Sequence, residues 1–127
     1  MVFAYETDGN GNGNQLFIDD ANVPGLLSLP YLGCCAISDA RYLRTRRRAL
    51  SGDNLYCYQG KVAEGIGGPH TGRKMIWPIG IMMRALTSVD DTEIISRLRW
   101  LGALIIDLDR RKPNLLQRPP STQRWRR

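Results

Sequence analysis

An all-α fold is the class this sequence predicts, on three observations. First, apolar residues recur at helical spacing in several stretches, most regularly at Ile79, Met82, Met83 and Leu86, which stand at i, i+3, i+4 and i+7. Second, polar residues able to cap a helix stand directly ahead of these stretches. Third, the segments are joined long, short, long, short, the pattern of antiparallel helical hairpins whose long connections gather at one end. The chain has 127 residues, 43% of them apolar and 24% charged, enough for one domain with its own core.

Met1 to Ile18 reads as a loop with a short extended start. In it Gly9-Asn-Gly-Asn-Gly-Asn14 favours turns and left-handed backbone over any helix. Its GxGxG spacing is not the dinucleotide GxGxxG and lacks a strand-to-helix context. Asp8, Asn10, Asn12, Gly13 and Asp19 imitate a calcium loop more closely, although only seven residues precede Asp8 and the last ligand is Asp where a bidentate Glu is usual. A calcium-binding module is therefore an alternative reading.

Asp19-Asp20-Ala21-Asn22-Val23-Pro24 places two carboxylates and an amide ahead of the Leu-rich run Val23 to Leu32, which Pro30 limits to a short or kinked helix. One Asp is expected to cap that helix, with Pro24 just inside it. The other is either solvated or, with Asn22, part of a sugar site, because vicinal hydroxyls losing water need matched acceptors and donors. Ser38 or Asp39 starts a helix to about Leu50, with Ala40, Leu43 and Leu50 on its apolar side and Arg44, Arg46, Arg47 and Arg48 on a solvated face. Ser51-Gly-Asp-Asn54 stops it, and a long glycine-rich loop to Met75 carries Tyr56, Tyr58, Glu64 and His70. Spacing leaves His70 open between a buried histidine tying loop to loop and a ligand contact.

Trp77-Pro78 opens the third helix, whose methionines are read as core. Asp90 with Glu93 makes a capping-box-like start for the fourth, with Ile94, Ile95, Leu98 and Leu101 as its apolar side. The long connections carry Glu6, Asp8, Asp19, Asp20, Glu64, His70 and Trp77, and polar loops on a helical scaffold are where sites are built. Two hairpins cannot enclose a pocket, so the pattern is that of part of a larger helical toroid. A non-catalytic helical interaction protein is the remaining alternative.

The net charge of +6 is not spread evenly. Residues 1–96 hold nine Lys/Arg against ten Asp/Glu, while residues 97–127 hold nine against two. The excess lies in the last quarter, with no nucleic-acid fold motif beside it, and no nucleic-acid partner is expected. Neither a signal peptide nor a run of ~20 apolar residues is visible, so no membrane span is expected and the compartment is unknown. Cys34, Cys35 and Cys57 form no CxxC pair and are expected to be small buried thiols, and a single histidine excludes a multi-histidine metal site.

Five stretches resemble glycoside hydrolase family 125. They are Phe3-Ala-Tyr-Glu-Thr-Asp-Gly9, Asp19-Asp-Ala-Asn-Val-Pro-Gly-Leu-Leu-Ser-Leu-Pro-Tyr-Leu-Gly33, Thr45-Arg-Arg, Gly65-Ile-Gly-Gly-Pro-His-Thr71 and Ile76-Trp-Pro78, running in order from about residue 2 to residue 98. The resemblance implies a partial (α/α)6 barrel and an exo-acting α-1,6-mannosidase that inverts the anomeric centre without a cofactor or metal. It implies α-mannoside oligosaccharides, such as the mannose chains of N-glycans, as substrate. It also tips His70 towards substrate, so that Asp19, Asp20, Asn22, His70, Glu6, Asp8 and Trp77 become the expected substrate-binding residues. The family's acid motif Arg-Pro-Ser-Asp-Asp and base motif His-Glu-Ser-Phe do not occur here, so the catalytic residues are unknown and this chain is expected to be an incomplete, inactive fragment. Residues 1–101 are assigned to the catalytic-domain fragment, and 102–127 to a basic Pro/Arg-rich tail outside the fold.

Overall fold

The computed structural model describes residues 1–10, 13, 15–70, 72 and 74–110, with side chains to residue 106. Its element order is β1 (Glu6–Thr7), β2 (Gln15–Leu16), a 3-10 turn (Leu26–Ser28), α1 (Ala40–Ala49), β3 (Cys57–Gln59), β4 (Glu64–Ile66), α2 (Pro78–Leu86) and α3 (Asp91–Arg110). The all-α expectation needs correcting, because two small antiparallel sheets accompany the helices. β1 pairs with β2 in the register Glu6↔Leu16 and Thr7↔Gln15, and β3 with β4 through Cys57↔Ile66, Tyr58↔Gly65 and Gln59↔Glu64. Both lie in the stretches expected to be loops. Glycines and turn formers let each loop fold back on itself and pair its own backbone groups, which a bare loop would leave to water.

The Val23–Leu32 helix shrinks to the 3-10 turn Leu26–Ser28, with Gly25 at its N-cap and a cis Val23–Pro24 peptide before it. α1 begins where expected, since the Asp39 carboxylate accepts the N–H groups of Arg41 and Tyr42 at 2.6 and 3.1 Å. Its buried residues, however, are Tyr42, Thr45 and Ala49, whereas Ala40 and Leu43 are exposed. Nor are its arginines simply solvated. Arg41 lies over the Phe3 ring at 5.2 Å, Arg44 donates to Met1 O at 3.0 Å, and Arg48 covers Phe17 at 4.1 Å. With the Phe3 N–H donating to Thr45 Oγ1 at 2.8 Å, the helix straps down the N-terminal segment.

Arg46 turns the other way and joins Arg84, Arg97, Glu64 and Glu93 in an ion-pair cluster that ties α1, α2, α3 and β4 together. The core comprises Ala21, Leu27, Ala49, Ile66 and Met83, with Phe17, Leu50, Tyr56 and Trp77 packed against it. Along α2 the buried positions are Gly80, Ile81, Met83 and Ala85, while Met82 and Leu86 of the expected stripe are exposed, as are Ile95 and Leu98 on α3. None of the three cysteines is fully buried, and Cys34 is exposed. α3 runs on through Gly102 to Arg110, and the rest of the basic tail lies outside the described residues. No described helix is long and apolar enough to cross a membrane.

Candidate functional site

Asp19 and Asp20 are both buried, at 1% and 6% exposure, and they face different partners. Asp19 accepts the Leu26 N–H at Oδ1 (3.2 Å) and the Leu27 N–H at Oδ2 (3.1 Å), so it anchors the 3-10 turn across seven and eight residues. Burial raises its pKa to about 6; those two N–H groups pull it back and the Asp20 charge adds to the rise. The Asp20 carboxylate accepts the Asn22 N–H at 3.2 Å and the Asn22 amide Nδ2–H at 2.6 Å, and its charge acts on the Tyr5 hydroxyl. Burial first, and then the Asp20 charge, push the Tyr5 pKa up.

What holds this pair in place is Asn54, 2% exposed. Its side chain accepts the Asp19 N–H at 3.1 Å and donates to Asp19 O and Ala49 O, both at 2.9 Å. The acidic turn is thereby locked to the end of α1. From the sequence Asn54 is only a helix stop, and nothing in its local spacing signals a contact 35 residues away. Tyr5 is legible there only as one letter of a longer motif.

Two glycines bring further segments to the pair. A Cβ on Gly68 would lie 2.7 Å from Asp20 O, and one on Gly80 would lie 3.0 Å from Ala21 Cβ and 3.1 Å from Ile66 O. The Gly67–His70 loop and the start of α2 can therefore lie directly against the Asp19–Asn22 turn. Trp77, half-buried, is fixed there by its N–H to Ile66 O at 3.0 Å. Ala21 inside the turn has φ +61°, a left-handed conformation that a non-glycine residue holds only under tertiary constraint. Asp20, Asn22 and Trp77 thus lie on segments that meet. His70 is exposed, which sets aside the buried, loop-tying role.

Glu6 and Asp8 lie on the exposed β1 edge and its turn. An open depression runs between Tyr5 and Glu6 on one side and Pro24, Gly25 and Leu26 on the other, joining this hairpin to the acidic turn. The calcium reading loses its frame here. Asp8 accepts the Asn10 N–H in an exposed turn while Asp19 is committed to the core, and Asn12 lies outside the described residues. Among the described residues, no three His, Cys, Asp or Glu side chains gather so as to hold a metal ion. The site as a whole can accept and donate hydrogen bonds beside an aromatic ring, which suits a polyhydroxylated ligand.

Known proteins resemble this chain in sequence and in structure. The profile of the family described as metal-independent alpha-mannosidase (GH125) matches residues 1–108. The Meiotically up-regulated gene 157 protein of Schizosaccharomyces pombe is 54% identical over 98 residues, 76% of this chain and 19% of that protein. A metal-independent α-mannosidase from Streptococcus pneumoniae, solved in a non-productive substrate complex with α-1,6-mannobiose, superimposes with a TM-score of 0.76 at 45% identity, covering 80% of this chain and 24% of that one. The chain spans between 19% and 24% of the length of these relatives.

Proposed function

The chain belongs to the GH125 family of metal-independent α-mannosidases, and on that premise we propose that it forms one sugar-binding wall of an exo-acting, inverting α-1,6-mannosidase with an (α/α)6 barrel. The observation that carries this reading is the likeness to a relative bound to α-1,6-mannobiose, at 45% identity over 80% of the chain. The geometry of the acidic turn supports it. Asp19, with both oxygens taken by backbone N–H groups, is the anchor of the turn; Asp20, Asn22, His70 and Trp77 are the groups that meet the mannose, with Glu6 and Asp8 at the rim.

Inversion needs one carboxyl group to protonate the leaving oxygen and another, on the opposite face of the sugar, to activate water. Asp19 fills neither role, despite its raised pKa, because it is 1% exposed and faces Leu26 and Leu27. In this reading the acid and base come from parts of the domain that these residues do not include. This chain supplies grip and orientation, and alone it is inactive. The family match runs on to residue 108, past the boundary at residue 101 that the sequence suggests.

The test is hydrolysis of α-1,6-mannobiose by a complete family domain carrying this segment, with Asp19→Ala, Asp20→Ala and His70→Ala variants. Asp20→Ala is expected to lower kcat/KM by at least ~10²-fold, about 3 kcal/mol of transition-state stabilisation. Asp19→Ala is expected to cost mainly stability. If all three keep near-parental kcat/KM, the acidic turn is a structural clasp and the sugar site lies elsewhere.

A further inference from the structure

The Gly9–Asn14 run takes no part in the function proposed above, and its chemistry points to a modification. We propose that Asn10 is a site of spontaneous deamidation, reacting with the peptide nitrogen of Gly11 through a cyclic imide.

Asn10 is exposed, in the connection between β1 and β2, so water reaches its amide. The residue after it is glycine, whose missing side chain leaves the attacking nitrogen unhindered and whose backbone reaches conformations closed to other residues. The other described asparagines differ on both counts. Asn22 donates its amide to Asp20 Oδ2 at 2.6 Å and precedes the β-branched Val23. Asn54 is 2% exposed, bonded through both ends of its amide, and precedes Leu55.

The peptide nitrogen of residue 11, losing its proton to hydroxide or water, attacks Asn10 Cγ. The Cγ–Nδ2 bond breaks, and the amide nitrogen leaves as ammonia after taking up a proton. Water then opens the imide. Breaking the bond between Cγ and the residue-11 nitrogen gives an ordinary aspartate in a normal main chain. Breaking the bond from the main-chain carbonyl carbon gives isoaspartate, with the chain running through the side chain. The balance is amide plus water to carboxylic acid plus ammonia, with no change of oxidation state. Either product adds a carboxylate two residues from Asp8, and isoaspartate also inserts a methylene into the β1–β2 connection.

The test is ageing of the purified 127-residue chain in mildly alkaline buffer at physiological temperature, followed by peptide mass mapping with fragmentation and labelling by an isoaspartate-directed carboxyl methyltransferase. Asn10 is expected to convert at least ~10-fold faster than Asn22 or Asn54, a barrier difference of about 1.4 kcal/mol, and faster still as pH rises. Gly11→Ala should slow the conversion, and Asn10→Gln should remove it. The preference for a glycine successor persists in an unfolded chain, so misfolding does not hide the result. The proposal fails if Asn10 keeps its amide, if only Asn12 converts, if Asn22 and Asn54 convert equally fast, or if Gly11→Ala leaves the rate unchanged. None of these readouts depends on mannosidase activity.

Discussion

Adjacent in sequence, Asp19 and Asp20 differ in what their carboxylates face, and that difference has a pH signature. Burial holds the Asp19 pKa near 6, above the ordinary 3.8. A carboxyl whose folded pKa exceeds its unfolded one stabilises the fold while protonated. Its contribution is therefore complete below pH 3.8 and is lost as pH rises through about 6. In a complete domain carrying this segment, urea midpoints should fall over that window, and Asp19→Asn should flatten the fall; an unchanged slope would count against the assignment. Asn54 gives a sharper test. Asn54→Ala strips partners from the buried Asp19 N–H, Asp19 C=O and Ala49 C=O, and should cost at least ~3 kcal/mol of unfolding free energy.

Among the elements, α3 packs chiefly against α2, and Glu93 adds polar links from it to α1 and α2. Its carboxylate takes Arg84 Nε at 2.7 Å, Arg46 at 2.8 Å and the Ser88 hydroxyl at 2.6 Å. Burial works to raise its pKa, but the Ser88 and Arg84 hydrogen bonds and the Arg46 and Arg84 charges outweigh burial and bring it down to about 2 from 4.5. The sign is opposite to that of Asp19. Glu93 contributes stability above pH 4.5 that disappears as pH falls through about 2. Glu93→Gln should remove the corresponding part of the acid limb of a pH-stability curve. Among the described residues, Glu93→Ala leaves Arg46, Arg84 and Arg97 with only Glu64 as a carboxylate partner in the cluster, and Arg46 Nε and Arg97 Nε are already buried there without an acceptor. A loss of about 3 kcal/mol is expected, as for other broken buried pairs.

For the molecule as a whole, α2, α3 and the connection between them carry apolar side chains that the described residues leave exposed. Met82, Leu86, Val89, Ile95, Leu98, Ile105 and Ile106 are each 46% exposed or more. Soluble monomers seldom leave so many large apolar side chains open on neighbouring elements. The isolated chain is therefore expected to self-associate or to bind a hydrophobic dye, and to lack a sharp thermal transition as a monomer. Sedimentation velocity with and without Leu98→Glu checks this, and a cooperative, monodisperse wild-type monomer would contradict it.

Much of this is legible in the sequence, because helix starts and family motifs are local. Asp39 as a cap, the Trp77-Pro78 and Asp90 helix starts, and the likeness to glycoside hydrolase family 125 all rest on residues close together in the chain. The burial pattern is not legible in this way. Helical spacing offers an apolar stripe without saying what will cover it, so Met82, Leu86, Leu98 and Leu43 fit the spacing of a core and are nonetheless exposed. The arginines of α1 fit a solvated face, yet their targets, Phe3, Phe17 and Glu93, stand far away along the chain. Local order along the chain is thus enough for the helix starts, the family and the set of polar residues available to a sugar. It is not enough to tell that Asp19 anchors while Asp20 faces Asn22 and Tyr5. That division rests on Asn54 and on the close approach of Gly68, contacts that exist only once the chain has folded back on itself.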